Sequence, residues 1–131
     1  MPRPRTEHPT PGELDVLNIL WGRGPCTARE VWNVLNQRRE RHYTSVNSLL
    51  NTMVEKGLLK RQSDQRAFVY EAATAREKTQ GELVKDLVGR AFEGSPSGLV
   101  LQVLDQCDPS PEEMAQIAKM IQQYRKQKGK K

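Results

Sequence analysis

The chain is poor in the residues that most often carry chemistry. Its 131 residues include only two cysteines and two histidines. Cys26 and Cys107 lie far apart, with no C-x-x-C pair and no histidine at metal-ligand spacing, which excludes a disulfide framework and a zinc signature. We therefore interpret both cysteines as small core residues and expect no metal and no cofactor. His8 and His42 have no cysteine or carboxylate arranged for a catalytic triad, so the pattern does not favour an enzyme.

Long apolar runs and aromatic residues are also scarce. No apolar stretch reaches 18 residues, and the N-terminal sequence MPRPRTEHPTPG has no apolar signal segment. We therefore expect a soluble, cytoplasmic protein that does not enter a membrane. Aromatic residues make up 5% of the chain. A monomer of this size with so few large side chains would have a thin core, which favours a core shared by two copies.

The charge that is present is mostly positive and unevenly distributed. The net charge is +5, which suits an anionic partner but does not choose between DNA, RNA and an anionic membrane. Residues 38–61 hold six basic and two acidic side chains, whereas residues 73–124 hold five basic and eight acidic ones. An anionic partner is therefore expected to meet the segment 38–61.

Charge is missing from one face of the segment YTSVNSLLNTMVEKG at 43–57. Its apolar residues recur at the i, i+3, i+4, i+7 spacing of a helix packed on a core. The other face carries short hydroxyl and amide side chains, which are weaker helix formers than the Glu, Lys and Arg of an ordinary surface helix. Such residues suit the DNA major groove, where they bond base edges and phosphates. The alternative is a polar surface helix that lacks charge by chance.

The order of elements around this segment predicts a known architecture. Helices are expected at 12–21, after the T-x-x-E capping box that begins at Thr27, and at 44–56. Two short runs, 59–62 and 67–71, are joined by turn residues and predict an antiparallel hairpin. Three helices followed by a hairpin is the order of a winged helix-turn-helix domain. We expect a mainly α fold with a small β-hairpin wing.

The sequence of the C-terminal part predicts helices whose apolar sides must pack against another chain. Helices are predicted at 75–93, at 97–105 and after Ser110; the second is apolar on all sides and must be covered all round. Three short helices in about fifty residues do not form a stable core alone. We therefore expect a homodimer, whose predicted interface residues are Leu83, Leu87, Val88, Phe92, Leu99, Val100, Val103, Leu104, Ile117 and Ile121.

These observations divide the chain into four predicted parts. They are a flexible arm at 1–10, a winged-helix DNA-binding domain at 11–73, a three-helix dimerisation region at 74–124, and a frayed basic tail at 125–131. The DNA contacts are expected from the polar helix face, its basic flanks and the wing, where Arg61 and Arg66 are predicted to hold phosphates. The full predicted set is Arg41, Tyr43, Thr44, Ser45, Asn47, Ser48, Asn51, Thr52, Arg61, Arg66 and Tyr70.

Several ordered stretches resemble one family. They are GELDVLNILWGRGPCTAREV at 12–31, YTSVNSLLNTMVEKGLLKR at 43–61, RAFVYEA at 66–72 and FEGSPSGLVLQVL at 92–104. Together they resemble the penicillinase and methicillin-resistance repressors of the BlaI/MecI type, with the CopY copper repressors as a branch. The resemblance implies a homodimeric bacterial repressor on an inverted-repeat operator with TACA and TGTA elements, controlling β-lactam resistance or another stress-response operon.

Three departures from that family bear on regulation. The resemblance implies that a membrane sensor protease, triggered by β-lactams, leads to cleavage of the repressor at an Asn-Phe bond. The matching pair here is Gln102-Val103, the possible proteolytic site. The copper branch carries C-x-C pairs near its C-terminus, where this chain has only Cys107. Thr52 stands where many relatives carry Arg. Expected partners are therefore a double-stranded DNA operator, a second copy of the chain and an inactivating protease. The alternative is a winged-helix nucleic-acid or protein-interaction adaptor without operator specificity.

Overall fold

The computed structural model describes residues 8–129. Residues 1–7 of the predicted arm and residues 130–131 of the predicted tail lie outside the described residues. The described residues form a mainly helical fold with one small antiparallel sheet, which confirms the predicted fold class. The helices are α1 (Pro11–Arg23), α2 (Ala28–Arg38), α3 (Tyr43–Glu55), α4 (Arg76–Ala91), α5 (Pro96–Cys107) and α6 (Pro111–Gly129), and the strands are β1 (Cys26–Thr27), β2 (Leu59–Asp64) and β3 (Ala67–Ala72).

Helices α1 and α2 both begin with a capping box. Thr27 caps α2 as predicted: its hydroxyl accepts from the Glu30 backbone N–H, and the Glu30 carboxylate accepts from the Thr27 N–H. Thr10 and Glu13 form a second capping box at the start of α1. Each box satisfies backbone donors that the helix leaves unpaired. Thr10 therefore belongs to the folded domain and not to a flexible arm ending at residue 10.

The sheet contains one strand more than the predicted hairpin. Its order is β1-β3-β2, with both pairings antiparallel. The hairpin β2–β3 agrees with the sequence prediction, but β1 has only two residues, in which Cys26 opposes Tyr70 and Thr27 opposes Val69. A two-residue strand carries no recognisable alternation, so the sequence does not predict it.

Helices α1 to α3 and the sheet enclose one hydrophobic core. Its buried side chains come from all of these elements: Val16, Leu17, Ile19, Leu20, Cys26, Ala28, Val31, Leu35, Val46, Leu50, Met53, Leu59 and Tyr70. Tyr70 is 1% exposed, so its predicted role as a DNA contact is wrong. Alternation along β3 turns Tyr70 towards the helices, and a large ring fills the space between sheet and helices.

The two cysteines have opposite environments. Cys26 is buried in the core as predicted, and burial raises the pKa of its thiol. Cys107, at the end of α5, is exposed, so the prediction that it is a core residue is wrong. The prediction of a frayed segment after residue 124 also fails as far as residue 129, because α6 continues to Gly129. Lys and Gln are good helix formers, and lysines near a helix C-terminus interact favourably with the helix dipole.

The chain divides into two compact units, Met1–Val84 and Lys85–Lys131. The first unit holds the winged-helix elements. In the second, the Ser95 hydroxyl accepts from the Gly98 backbone N–H at 3.1 Å and caps α5. No side chain of α5 or of the described part of α6 is buried. Within residues 8–129, no helix has the length and apolar character needed to cross a membrane.

Candidate nucleic-acid interface

Helix α3 separates a buried apolar face from an accessible polar face, as the sequence predicts. Val46, Leu50 and Met53 lie in the core. Six short polar side chains lie on the other faces of the helix and carry no charge. Thr44, Ser45, Ser48 and Thr52 are exposed, and Asn47 and Asn51 are half-buried. The face therefore presents hydroxyl and amide groups, the chemistry that bonds base edges and phosphates.

The turn between α2 and α3 is fixed by side chains from α2. The Trp32 indole N–H donates to the Arg41 carbonyl at 2.8 Å, and the Asn36 amide oxygen accepts from the Arg41 backbone N–H at 3.0 Å. The Trp32 ring also meets the Tyr43 ring edge to face, with 6.3 Å between centroids. These contacts set where α3 begins and how it is oriented. Arg41 is half-buried, and its Nε donates to the Arg39 carbonyl at 3.2 Å.

Arg29 stands at this surface although the sequence did not single it out. Its guanidinium carbon lies 4.5 Å from the Tyr43 ring centroid and 5.6 Å from that of Trp32, which is within the range of a cation–π contact. Arg29, Tyr43, Asn47 and Arg66 are among the residues that line a groove of about 290 Å³ between α2, α3 and the wing. The one indication of this contact in the sequence is that Arg29 lies three residues before Trp32 on a predicted helix.

The wing adds two arginines with different surroundings. Arg66 is exposed in the hairpin turn. Arg61, on β2, donates from Nη1 to the Asn51 amide oxygen at 3.0 Å, and its guanidinium carbon lies 4.3 Å from the Phe68 ring centroid. Phe68, which the sequence reasoning missed, is 46% exposed. The wing thus touches the polar face of α3 through one arginine.

The C-terminal end of α3 is tied to α1 by an ion pair. Lys56, the residue that caps α3, places its Nζ 2.8 Å from Glu13 Oε2. Burial of Glu13 acts to raise its pKa, but the hydrogen bonds from Lys56 and Thr10 and the charge of Lys56 outweigh it, so the pKa lies below the ordinary value of 4.5. Lys56 is therefore a structural partner of Glu13, and its charge is largely compensated.

The predicted dimer residues lie in accessible positions. In the single chain the predicted set is half-buried or exposed throughout. Further apolar side chains on α5 and α6, Leu101 at 57% and Met120 at 62%, are more exposed still. Gln102 and Val103 are both exposed and lie inside the helical span of α5.

A family model described as penicillinase repressor matches residues 9–123. The chain belongs to the penicillinase repressor family. This confirms the resemblance noted in the sequence. The family is one of DNA-binding transcriptional repressors, which favours a binding protein over an enzyme.

Relatives within the family are distant in sequence. The methicillin resistance regulatory protein MecI of Mammaliicoccus sciuri is 20% identical, over 83% of this chain and 89% of the relative. The penicillinase repressor of Bacillus licheniformis is 21% identical, over 88% and 91% respectively. The transcriptional regulator BlaI of Mycobacterium tuberculosis H37Rv is 32% identical, over 61% of this chain and 60% of the relative.

Proposed function

We propose that this penicillinase repressor family member is a sequence-specific transcriptional repressor that binds an inverted-repeat DNA operator as a homodimer. The observation that carries the proposal is the uncharged, accessible polar face of α3, which lies between basic residues of the α2–α3 turn and of the wing. Base edges are read by short hydrogen-bonding side chains, whereas arginines hold the phosphates that flank them. The names of the relatives make a β-lactam resistance operon the first candidate target.

The dimeric state rests on a separate observation. Helices α5 and α6 bury none of their side chains within one chain, although Leu101, Met120 and Tyr124 are large and apolar. Contiguous exposed apolar surface on a small protein marks an interaction site. A two-fold symmetric dimer would present two copies of α3 to the two halves of an inverted repeat.

The test is a competition between the DNA upstream of the protein's own gene and bulk duplex DNA. We expect the upstream DNA to win by a large ratio, since base readout adds to the salt-dependent phosphate term. Asn47→Ala should cost about 1–3 kcal/mol on the specific site and little on random duplex. Arg66→Ala should weaken binding to both and lower the salt slope by about one unit.

A matched control is Asn18→Ala, which changes an exposed asparagine on α1, a helix that contributes no residue to the predicted interface. This substitution should alter neither the affinity for the specific site nor the affinity for random duplex DNA. Equal losses on specific and random DNA for Asn47→Ala would argue against base readout. A specific-to-random ratio near one for the unaltered chain would support the adaptor without operator specificity.

A further inference from the structure

Arg61 is hydrogen bonded to α3, whereas Arg66 lies in the hairpin turn. In the sheet register Arg61 opposes Tyr70, and Phe68 precedes Tyr70 by two residues. Directly opposed residues, and residues two apart on one strand, share a face of a sheet. Because Tyr70 points into the core, Arg61 and Phe68 lie on the side of the hairpin that faces the helices.

Two contacts fix the Arg61 guanidinium there. Its Nη1 donates to Asn51 Oδ1 at 3.0 Å. Its central carbon lies 4.3 Å from the centroid of the Phe68 ring, where a cation is attracted to the π face. This contact also gives a reason for a half-exposed phenylalanine on a small wing. Phe68 supports Arg61, and Arg61 in turn orients the Asn51 amide.

The hydrogen bond changes what Asn51 offers to a base. An unengaged asparagine reads adenine with both ends of its amide, because adenine presents the N7 acceptor and the N6 donor. The Asn51 oxygen already accepts from Arg61, so the amide NH₂ is left as the group to donate. Arg61 keeps further N–H donors. Together the two side chains present donors, and guanine is the base whose major-groove edge carries two acceptors, N7 and O6.

Asn51 differs from the other polar residues of α3 because its side chain is already hydrogen bonded. Within residues 8–129, it alone among the six has its side chain hydrogen bonded. Asn47 therefore keeps both ends of its amide and can read adenine, whereas Asn51 is committed to a donor role.

We infer that Asn51 and Arg61 act as one unit that selects guanine at one position of each operator half-site, with Phe68 as the support that positions Arg61. The inference rests on the proposed function and goes beyond it by naming the base and the residues that choose it. It also replaces the phosphate role predicted for Arg61 from the sequence. A phosphate contact strengthens binding to every sequence alike, whereas a base contact changes the order of preference among sequences.

The test is selection of binding sites by the full chain from a random duplex library, followed by affinity measurements on single-base variants of the selected site. The unaltered chain should prefer guanine at one position per half-site by roughly five- to one-hundred-fold. Arg61→Lys keeps the charge but removes the planar fork of donors. Arg61→Lys and Asn51→Ala should each remove the preference at that same position and leave the other positions unchanged. Phe68→Leu should weaken the preference for guanine at that position.

The matched control is Lys60→Ala. Lys60 is the neighbour of Arg61 on β2, and the alternation of the strand places it on the opposite face. The substitution removes a positive charge from the same strand but should keep the guanine preference. Thermal unfolding of each variant, unchanged from the unaltered chain, would show that the effect is one of recognition and not of folding.

Two results would overturn the inference while the proposed function stands. One is an Arg61→Lys or Arg61→Ala variant that binds all duplexes less tightly by the same factor and keeps every base preference. The other is an Asn51→Ala variant that loses a preference for adenine. If the unaltered chain selects no sequence from the library, the proposed function itself fails, and that outcome is distinct from both.

Discussion

At the scale of single residues, the surroundings of a side chain decide its role more than its type does. Arg61 and Arg66 are both exposed wing arginines, yet one is hydrogen bonded to α3 and the other lies in the hairpin turn. Glu13 and Glu30 occupy the same position in two capping boxes, yet Glu13 is 2% exposed and paired with Lys56, while Glu30 is exposed. The pair of glutamates offers a direct comparison.

Glu13→Gln should destabilise the fold in a pH-dependent way. Glutamine keeps the capping geometry but removes the negative charge opposite Lys56, so we expect a loss of about 1–3 kcal/mol at neutral pH. The pKa of Glu13 is lowered in the folded state. Its stabilisation is therefore fully present above the unfolded-state pKa and is lost as the pH falls through the lower, folded-state pKa. Chemical denaturation at a series of pH values measures this difference.

Glu30→Gln is the control for that prediction. It changes the same capping position on α2, where the carboxylate is exposed and, within residues 8–129, pairs with no lysine. Its cost should be no more than a few tenths of a kcal/mol, since glutamine also completes a capping box. If the two variants lose the same stability at every pH, the ion pair with Lys56 contributes nothing.

At the scale of elements, α5 combines an apolar composition with the Gln102-Val103 bond, which the family resemblance marks as a possible proteolytic site. Gln102 and Val103 lie in helical backbone, and a protease acts on an extended strand, so cutting requires local opening of α5. Cutting there would separate α6 from the rest of the chain. The two heads would then lose the effective concentration that a dimer gives them on an inverted repeat.

We expect that a β-lactam does not trigger cleavage of this chain at Gln102. The family resemblance implies an Asn-Phe bond at that position, and Gln-Val presents a longer amide and a smaller apolar side chain. The measurement is an immunoblot of producing cells after exposure to the drug, in a host that carries a relative's sensor. A fragment ending at Gln102 within minutes would contradict the expectation. The variant carrying Gln102→Asn and Val103→Phe, which restores the family pair, should be cut in the same cells.

At the scale of the whole molecule, the prediction is a homodimer held by α4, α5 and α6. Light scattering of the full chain at micromolar concentration should give twice the mass of one chain. Leu101→Glu, which places a charge at one of the most exposed apolar positions of α5, should shift the mass towards that of one chain. Gln106→Glu adds the same charge to the same helix at an exposed polar position and should leave the dimer intact. A monomer mass for the unaltered chain would refute the prediction.

A truncated chain should separate DNA binding from dimerisation. Thr74 lies just beyond the predicted domain boundary, and its carbonyl accepts from the Trp21 indole at 2.9 Å. Thr79, further along, is buried. A cut after Val84 keeps both residues, and the resulting fragment should be folded and monomeric and bind the operator much more weakly than the full chain.

The sequence by itself determined the features that depend on residues close together in the chain. The capping box at Thr27, the apolar stripe and polar face of α3, and the β2–β3 hairpin each follow from spacings of two to four residues. The same ordered stretches were enough to identify the family.

Only the tertiary structure decided the contacts between distant segments. The inward position of Tyr70, the two-residue strand β1, the pairing of Glu13 with Lys56 and the link from Asn51 through Arg61 to Phe68 all join different elements. No local spacing encodes such contacts, because they depend on which faces of helices and strands meet when the core is packed. For this reason the sequence predicted a DNA-reading helix, and the packed structure was needed to show which of its amides is already engaged.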